Sequence, residues 1–349
     1  MKKFFNVFTI LIIVFIFRSP LKDISNNLIS YVQGNVNNII NKIDNEDEYI
    51  NNSAIGDENN VEESVSDYNG SVSFDNYSTI KLGESVKNVI SKMGEPNKKE
   101  GSEYGFKWYV YNQDIDKFCM IGISKNKVVA LFSNTMNSCE SNGIKLGDVE
   151  SKVKSEHKLL DYRRIKNTRY ILNEKYYNLI KTKSSYITVF YDSFEDNKVV
   201  GIQIIGKKTE ENMAEIYTSD ESVTTSFENI NRYLINEERS RRGLNMISYD
   251  ENATLCARAH SKDMRDQDYF SHTNLKNQSP FDRMIQYGIN YQGAAENIAA
   301  GQTSAIFAHY ALMNSEGHRV NILGNYRYIG VGVVFGGSSS MYLTQNFYR

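Results

Sequence analysis

The run Tyr328-Ile329-Gly330-Val331-Gly332-Val333-Val334-Phe335, the small residues Gly336-Gly337-Ser338-Ser339-Ser340, and the run Met341-Tyr342-Leu343-Thr344-Gln345-Asn346-Phe347-Tyr348 close the chain. Both runs favour strand and the residues between them favour a turn, which predicts a terminal antiparallel hairpin. Helical signals precede it. Phe227, Ile230, Leu234 and Ile235 recur at helical spacing in a segment ending near Gly243. Asp250 is placed to cap a second helix reaching about Asp268, with Leu255, Cys256, Ala259 and Met264 apolar. Ser279-Pro280-Phe281-Asp282 is a capping box with proline at the first helical position; it opens a third helix that stops at Gly288. A fourth is expected over residues 303–315. Helices surrounding a hairpin make residues 226–349 a layered α+β domain.

Upstream lies an internal repeat. Ile80-Lys81-Leu82-Gly83 returns as Ile144-Lys145-Leu146-Gly147, and Asn126-Lys127-Val128-Val129 as Asn197-Lys198-Val199-Val200, with a spacing from the first motif to the second of 46 residues in one copy and 53 in the other. Each copy opens with a helical pattern (Val86, Val89, Ile90, Met93; then Val149, Val153) and continues in alternating strand-like runs. Residues 79–210 therefore read as a separate α+β domain of two tandem helix-plus-meander units. Its one histidine is His157, so it reads as a recognition or scaffold domain, with Trp108 in its core.

The N-terminal sequence reads as an export signal, with the N-terminus itself inside and the rest of the chain outside. Met1-Lys2-Lys3 precedes an apolar run over residues 4–17, broken only by Asn6 and Thr9 and closed by Arg18-Ser19-Pro20. A positive head and a short apolar core make an export signal, and no small-x-small cleavage site follows, which favours an uncleaved signal-anchor over residues 1–19. Fourteen helical residues span about 21 Å against a hydrocarbon core of about 30 Å, so flanking residues must snorkel or the bilayer thin. Leu21, Ile24, Leu28, Val32, Val36, Ile39 and Ile43 form a helical stripe, read as a stalk over 20–43. Ten acidic residues and one lysine over 41–78 predict a self-repelling, unstructured tether, placed at 44–78. The expected location is the cell membrane with the globular domains outside, or secretion if the signal is cleaved.

The chain has 349 residues, 40% hydrophobic and 23% charged, with three prolines and a net charge of −2. Those values exclude collagen-like, wholly disordered and polytopic membrane classes and leave nucleic acid an unexpected partner. Three cysteines (Cys119, Cys139, Cys256) are too few for a disulfide framework, although a Cys119–Cys139 bridge is compatible with export.

Four of the five histidines (His260, His272, His309, His318) fall in the last 90 residues. Glu296 stands in the small, apolar run Gly293-Ala294-Ala295-Glu296-Asn297-Ile298-Ala299, where a carboxylate needs a partner to offset desolvation. His272, His318 and Glu296, on separate elements, have the chemistry either to hold a divalent metal or to form a hydrogen-bonded acid/base site. No HExxH, CxxC or nucleophile elbow occurs.

The ordered motifs Ala259-His260-Ser261-x-x-Met264, Tyr269-Phe270-Ser271-His272-Thr273, Ser279-Pro280-Phe281-Asp282-Arg283-Met284, Ala295-Glu296-Asn297-Ile298-Ala299, Gly317-His318-Arg319-x-Asn321-Ile322-Leu323 and Gln345-Asn346-Phe347 closely resemble the bacterial branch of the CAP superfamily of cysteine-rich secretory, antigen and pathogenesis-related proteins. The repeat region resembles the CAP-associated N-terminal domain. The resemblance implies a three-layer α-β-α sandwich for 226–349. It implies a cleft of two histidines and two acids that holds a divalent metal such as zinc in some members. By motif these are His272, His318 and Glu296. The second acid aligns with Ser315, its neighbour Glu316 lies about 100° further round a helix, and Leu312 replaces a frequent tryptophan. His260 is expected as a buried, hydrogen-bonded histidine, His309 as packing, and Cys256 is not expected as a nucleophile. The functional expectation is a membrane-anchored module that binds an extracellular or envelope ligand. The alternatives are a metal-dependent hydrolase or peptidase with Glu296 or a histidine as general base, and lipid or sterol binding.

Overall fold

The computed structural model describes residues 71–74, 77–113, 118–135 and 140–349, all within one compact unit over 65–349. The expected anchor, the stalk, most of the acidic tether and Cys139 lie outside the described residues. Folded structure begins earlier than the composition suggested: strands Ser71–Phe74 and Tyr77–Lys81 pair antiparallel. The acidic average over 41–78 hid the short alternation Ser71-Val72-Ser73-Phe74.

The two repeats build a single eight-stranded sheet. The first supplies Lys98–Gly101, Lys107–Tyr111, Cys119–Ser124 and Lys127–Ser133, and the second supplies Leu159–Leu160, Tyr177–Lys181, Ser185–Asp192 and Lys198–Gly206. Their last strands meet antiparallel at the centre, Gln203 opposite Phe132 and Ile204 opposite Leu131. The repeated motifs make repeated bonds. Gly83 N donates to Val128 O and Gly147 N to Val199 O, both at 2.8 Å, while Val86 N and Glu150 N donate to Asn126 O and Asn197 O, both at 3.0 Å. Gly83 and Gly147 sit at φ 82° and 87°, a conformation that penalises a side chain. A hairpin, Tyr162–Ile165 with Thr168–Ile171, is inserted in the second copy and accounts for its longer span.

One face of this sheet (Ile121, Leu131, Val189, Ile202, Ile204) packs on the short helices Val86–Met93 and Glu150–Glu156 through Val89 and Val153. The other face is not free. Phe106, Trp108, Met120, Phe132, Phe190 and Val200 share one apolar core with Phe227, Leu234, Phe307, Tyr310 and Leu343 of the C-terminal domain. Trp108 is a core residue, as expected, but the repeat domain is not a separate body.

The C-terminal domain is built on a four-stranded sheet ordered Ser248–Tyr249, Tyr328–Phe335, Met341–Tyr348, Ala294–Ala300. The predicted hairpin is its centre, with Val331 opposite Gln345. Alternation along Tyr328–Phe335 sends Ile329, Val331 and Val333 into the core shared with helix Thr224–Arg241. Gly330 and Gly332 face helix Glu251–Asp266 instead, where a Cβ would overlap the backbone at Ala253 and at Arg258. Helix, sheet and helix thus form three layers. Leu255, read as apolar-face, is 43% exposed; that helix buries Ala253, Cys256, Ala257, His260, Ser261 and Met264. The expected fourth helix is Ala305–Met313, and an unexpected helix, Glu316–Ile322, follows it and carries His318.

Candidate functional site

Strand Ala294–Ala300 lies at the edge of the C-terminal sheet, so residues on both of its faces are reachable around one rim. Glu296 is 7% exposed and both of its oxygens are engaged. Oε1 accepts from His272 Nδ1 at 2.9 Å, and Oε2 accepts from Arg283 Nη2 at 2.7 Å. Arg283 reaches this place because the capping box starts helix Pro280–Gln286 beside the loop carrying His272. Its Nη1 donates to His272 O at 2.8 Å and to Gln278 O at 3.0 Å, fixing that loop. His260 Nε2 lies 3.0 Å from Ser271 O and 3.8 Å from Glu296 Oε1. A carbonyl only accepts, so Nε2 carries the proton and helps hold the backbone next to His272. Because Nδ1 of His272 faces a carboxylate, the lone pair of the neutral ring sits on Nε2, and this side chain is 41% exposed.

His318 comes from the other side of the strand. Its Nδ1 is 2.9 Å from Ser315 Oγ, so Ser315 bonds the imidazole and makes no side-chain cap at the start of its helix. The backbone is tied to the sheet by buried amides. Asn297 Nδ2 donates to His318 O at 3.1 Å and to Gln345 Oε1 at 2.9 Å. Asn321 Nδ2 donates to Asn297 Oδ1 at 2.8 Å, and Gln345 Nε2 to Asn231 Oδ1 at 2.7 Å. Burial, with a smaller contribution from the nearby His272, lowers the pKa of His318 to about 4, so its ring is neutral at pH 7. His272 and His318 are therefore within electrostatic reach of one another. Glu316 is exposed in the first turn of the helix.

The remaining reactive groups are structural. Burial pushes the Cys256 thiol up to about 12, far from the thiolate that nucleophilic chemistry needs. Burial also lowers His260 and His309 to about 4. His309 is fully buried, with neither ring nitrogen hydrogen-bonded.

Among the described residues no group of three or more His, Cys, Asp or Glu side chains is arranged to hold a metal ion. The donor set explains this: both oxygens of Glu296 are taken, one by a guanidinium. Glu296 stands behind His272 as the group that orients its ring. Sequence reasoning missed Arg283 and the Asn297–Gln345–Asn231 ladder. The demand of Glu296 for a counter-charge was a signal for Arg283; nothing in the spacing pointed to the amides.

A three-layer α-β-α domain with a histidine–carboxylate rim, packed on a two-repeat sheet, is the class that the fold and the site define. The model of the cysteine-rich secretory protein family matches residues 232–347, and that of the CAP-associated N-terminal domain matches 82–216. The chain is 30% identical over 291 residues to the uncharacterized membrane protein YlbC of Bacillus subtilis strain 168, covering 77% of this chain and 82% of that protein. It is 46% identical over 122 residues to the uncharacterized protein YkwD of the same organism, covering 35% of this chain and 48% of YkwD. A solved extracellular protein containing a SCP domain from Bacillus anthracis strain Ames superposes with TM-score 0.67 at 27% identity, covering 84% of this chain and 99% of that one. The chain belongs to the bacterial CAP superfamily and carries a CAP-associated N-terminal domain ahead of its CAP domain.

Proposed function

We propose that this protein is a membrane-anchored, extracytoplasmic binding module whose rim of His272, Glu296 and His318 receives an envelope ligand and is able to take a divalent metal. The observation that carries the reading is the full engagement of Glu296. With one oxygen on His272 and the other on Arg283, it orients an imidazole and is not free to act as a base. His272 and His318 would hold the ion through Nε2, and a bound zinc would supply positive charge for a carbonyl or anionic ligand group. Ser315 and Asn297 position His318, with no role reserved for Glu316. The alternative, metal-assisted hydrolysis, would need Glu296 or a neutral histidine as general base; with Glu296 held by Arg283, that part would fall to Nε2 of His272.

Membrane attachment draws on the apolar run over residues 4–17 and on the relative named a membrane protein; an outside location draws on the solved relative named extracellular. No helix among the described residues is long and apolar enough to cross a membrane. The test is calorimetric titration of Zn²⁺ into the full chain in detergent at neutral pH, beside His272→Ala and His318→Ala. Micromolar binding weakened at least tenfold by each substitution is expected. A folded wild type that binds no zinc overturns the metal part. Co-sedimentation with purified cell-wall sacculi, undiminished by either substitution, overturns the rim as the ligand site.

A further inference from the structure

The segment that carries Ser315 and His318 is held from outside its own domain. Residues 191–195 of the repeat domain form a tight turn in which Asp192 Oδ1 accepts from Phe194 N at 2.9 Å. This turn grips residues 314–319 at both ends. At the near end, Asn314 Nδ2 donates to Tyr191 O at 2.8 Å and Asn314 Oδ1 accepts from Ser193 N at 2.8 Å. At the far end, Arg319 Nη1 donates to Asp192 Oδ2 at 2.8 Å, and its guanidinium lies 5.0 Å from the centre of the Phe194 ring. Asp192 is 3% exposed and its Oδ2 also accepts from Arg242 Nη2 at 3.0 Å, so the grip is anchored on a desolvated charge cluster. Ser315 and His318 lie between the two gripped ends.

We propose that the 191–195 turn of the repeat domain is a positioning element of the CAP rim, so that the His318 side of the site is set by the docked repeat domain together with the Asn297 amide of the CAP sheet. This deepens the reading of His272 and His318 as a binding rim and rests on it. The CAP domain alone supplies one side-chain hydrogen bond across the far end of this segment, from Arg319 Nη1 to Met313 O at 3.2 Å. Elsewhere in the segment the CAP domain adds Asn314 Nδ2 to Tyr310 O at 2.9 Å and Asn297 Nδ2 to His318 O at 3.1 Å, while Asp192, Phe194, Glu195 and the backbone of Tyr191 and Ser193 grip it from the repeat domain. The repeat domain thereby has a direct mechanical input to the rim without lining it.

The test uses the full chain in detergent, with Asp192→Asn, Phe194→Ala and, as control at a distant part of the same interface, Glu100→Gln. Glu100 Oε1 accepts from Tyr233 Oη and Asn229 Nδ2, well away from the rim segment. Amide hydrogen exchange over residues 313–322 is compared with exchange over the strand 294–300, and Zn²⁺ affinity is titrated alongside. Asp192→Asn is expected to speed exchange over 313–322 at least tenfold, leave 294–300 unchanged and weaken zinc about tenfold, the loss typical of a disturbed supporting shell. Phe194→Ala, at a half-exposed position that leaves folding intact, is expected to act in the same direction by a factor of about two to five. Glu100→Gln is expected to do neither. Exchange over 313–322 unchanged in both test variants, or equally raised by the control, overturns the proposal. Wild-type protein that binds no zinc removes the metal reading alone, and the exchange comparison still decides the positioning role.

Discussion

Glu296 and Asn297 are adjacent on an edge strand and serve opposite halves of one site. Pleating sends the first to His272 and Arg283 on the helix Glu251–Asp266 side, and the second to the backbone of His318 on the other side. Two neighbouring residues thus fix two imidazoles that arrive from different layers of the sandwich. A shift of one residue in the pairing of Ala294–Ala300 with Met341–Tyr348 would exchange the two roles and lose both.

The carboxylate is consequently both a stabilising group and a site group. Glu296→Gln keeps the size of the side chain but leaves the Arg283 guanidinium, 6% exposed, without its counter-charge. A loss of about 3–5 kcal/mol is expected, the usual cost of breaking one half of a buried pair. Urea denaturation checks it: an unchanged midpoint at equal slope would show that Arg283 finds another acceptor. Adding Arg283→Met to Glu296→Gln should recover part of the loss, because no charge is then left buried.

Buried neutral histidines give stability a defined pH dependence. His260 and His309 are held near 4 against an ordinary value of about 6.5. Folding selects the unprotonated ring, so the contribution is complete above about pH 6.5 and is lost as pH falls from there toward 4. Each group adds a slope of up to about 1.4 kcal/mol per pH unit in that window. His309 faces Glu238, which opposes the shift, and Arg241, Arg242 and Arg319, which reinforce it. The urea midpoint of the wild type should fall from pH 7.0 to pH 5.5, and the fall should be visibly smaller in His309→Phe. Identical falls in both proteins would remove His309 as a contributor.

Asn297 has no charge to reveal it, yet it joins three elements. Asn297→Ala deletes the donor to His318 O, strands Gln345 Oε1 in a buried layer and leaves Asn321 Nδ2 only its long bond to Glu296 O at 3.5 Å. The expected cost is about 1–3 kcal/mol per stranded group. A second consequence is specific to the site: hydrogen exchange of the His318 helix should accelerate relative to helix Glu251–Asp266. Uniform acceleration of both would mean a general loss of stability instead.

How far the sequence disclosed this arrangement follows from what each signal measures. The hairpin was legible because Val331, Val333, Leu343 and Phe347 alternate with residues of the other face, and a period of two has no helical alternative. The repeat was legible because Gly83 and Gly147 must adopt positive φ, which preserves glycine in both copies. His272 and Glu296 were found through chemistry, since an acid in an alanine strand demands a partner. The helix around His318 was missed because a two-residue break at Asn314 and Ser315 carries no proline or glycine. The shared core of the two domains was also missed. Phe190, Phe307 and Tyr310 have the same apolar character whether they pack within a domain or across one, so hydrophobic pattern alone does not say which.

That shared core makes its own prediction at its tightest point. A Cβ on Gly201 of the repeat domain would overlap the hydroxyl of Tyr310, which donates to Val200 O at 3.2 Å while its ring stacks on Phe190 with centroids 4.3 Å apart. Both positions are in the interior, where small-to-large changes cost about 1–3 kcal/mol through forced displacement. Gly201→Ala should therefore destabilise the protein by that amount. Tyr310→Phe removes the nearest overlapping atom at the cost of one hydrogen bond of about 1 kcal/mol. In the double variant the two penalties should not add: part of the Gly201→Ala loss should be recovered, a coupling of about 0.5–1 kcal/mol between residues of different domains. Strict additivity in denaturation would mean that the sheet and the helix Ala305–Met313 separate enough to admit a methyl group, and that the docking is looser than the stacked rings imply.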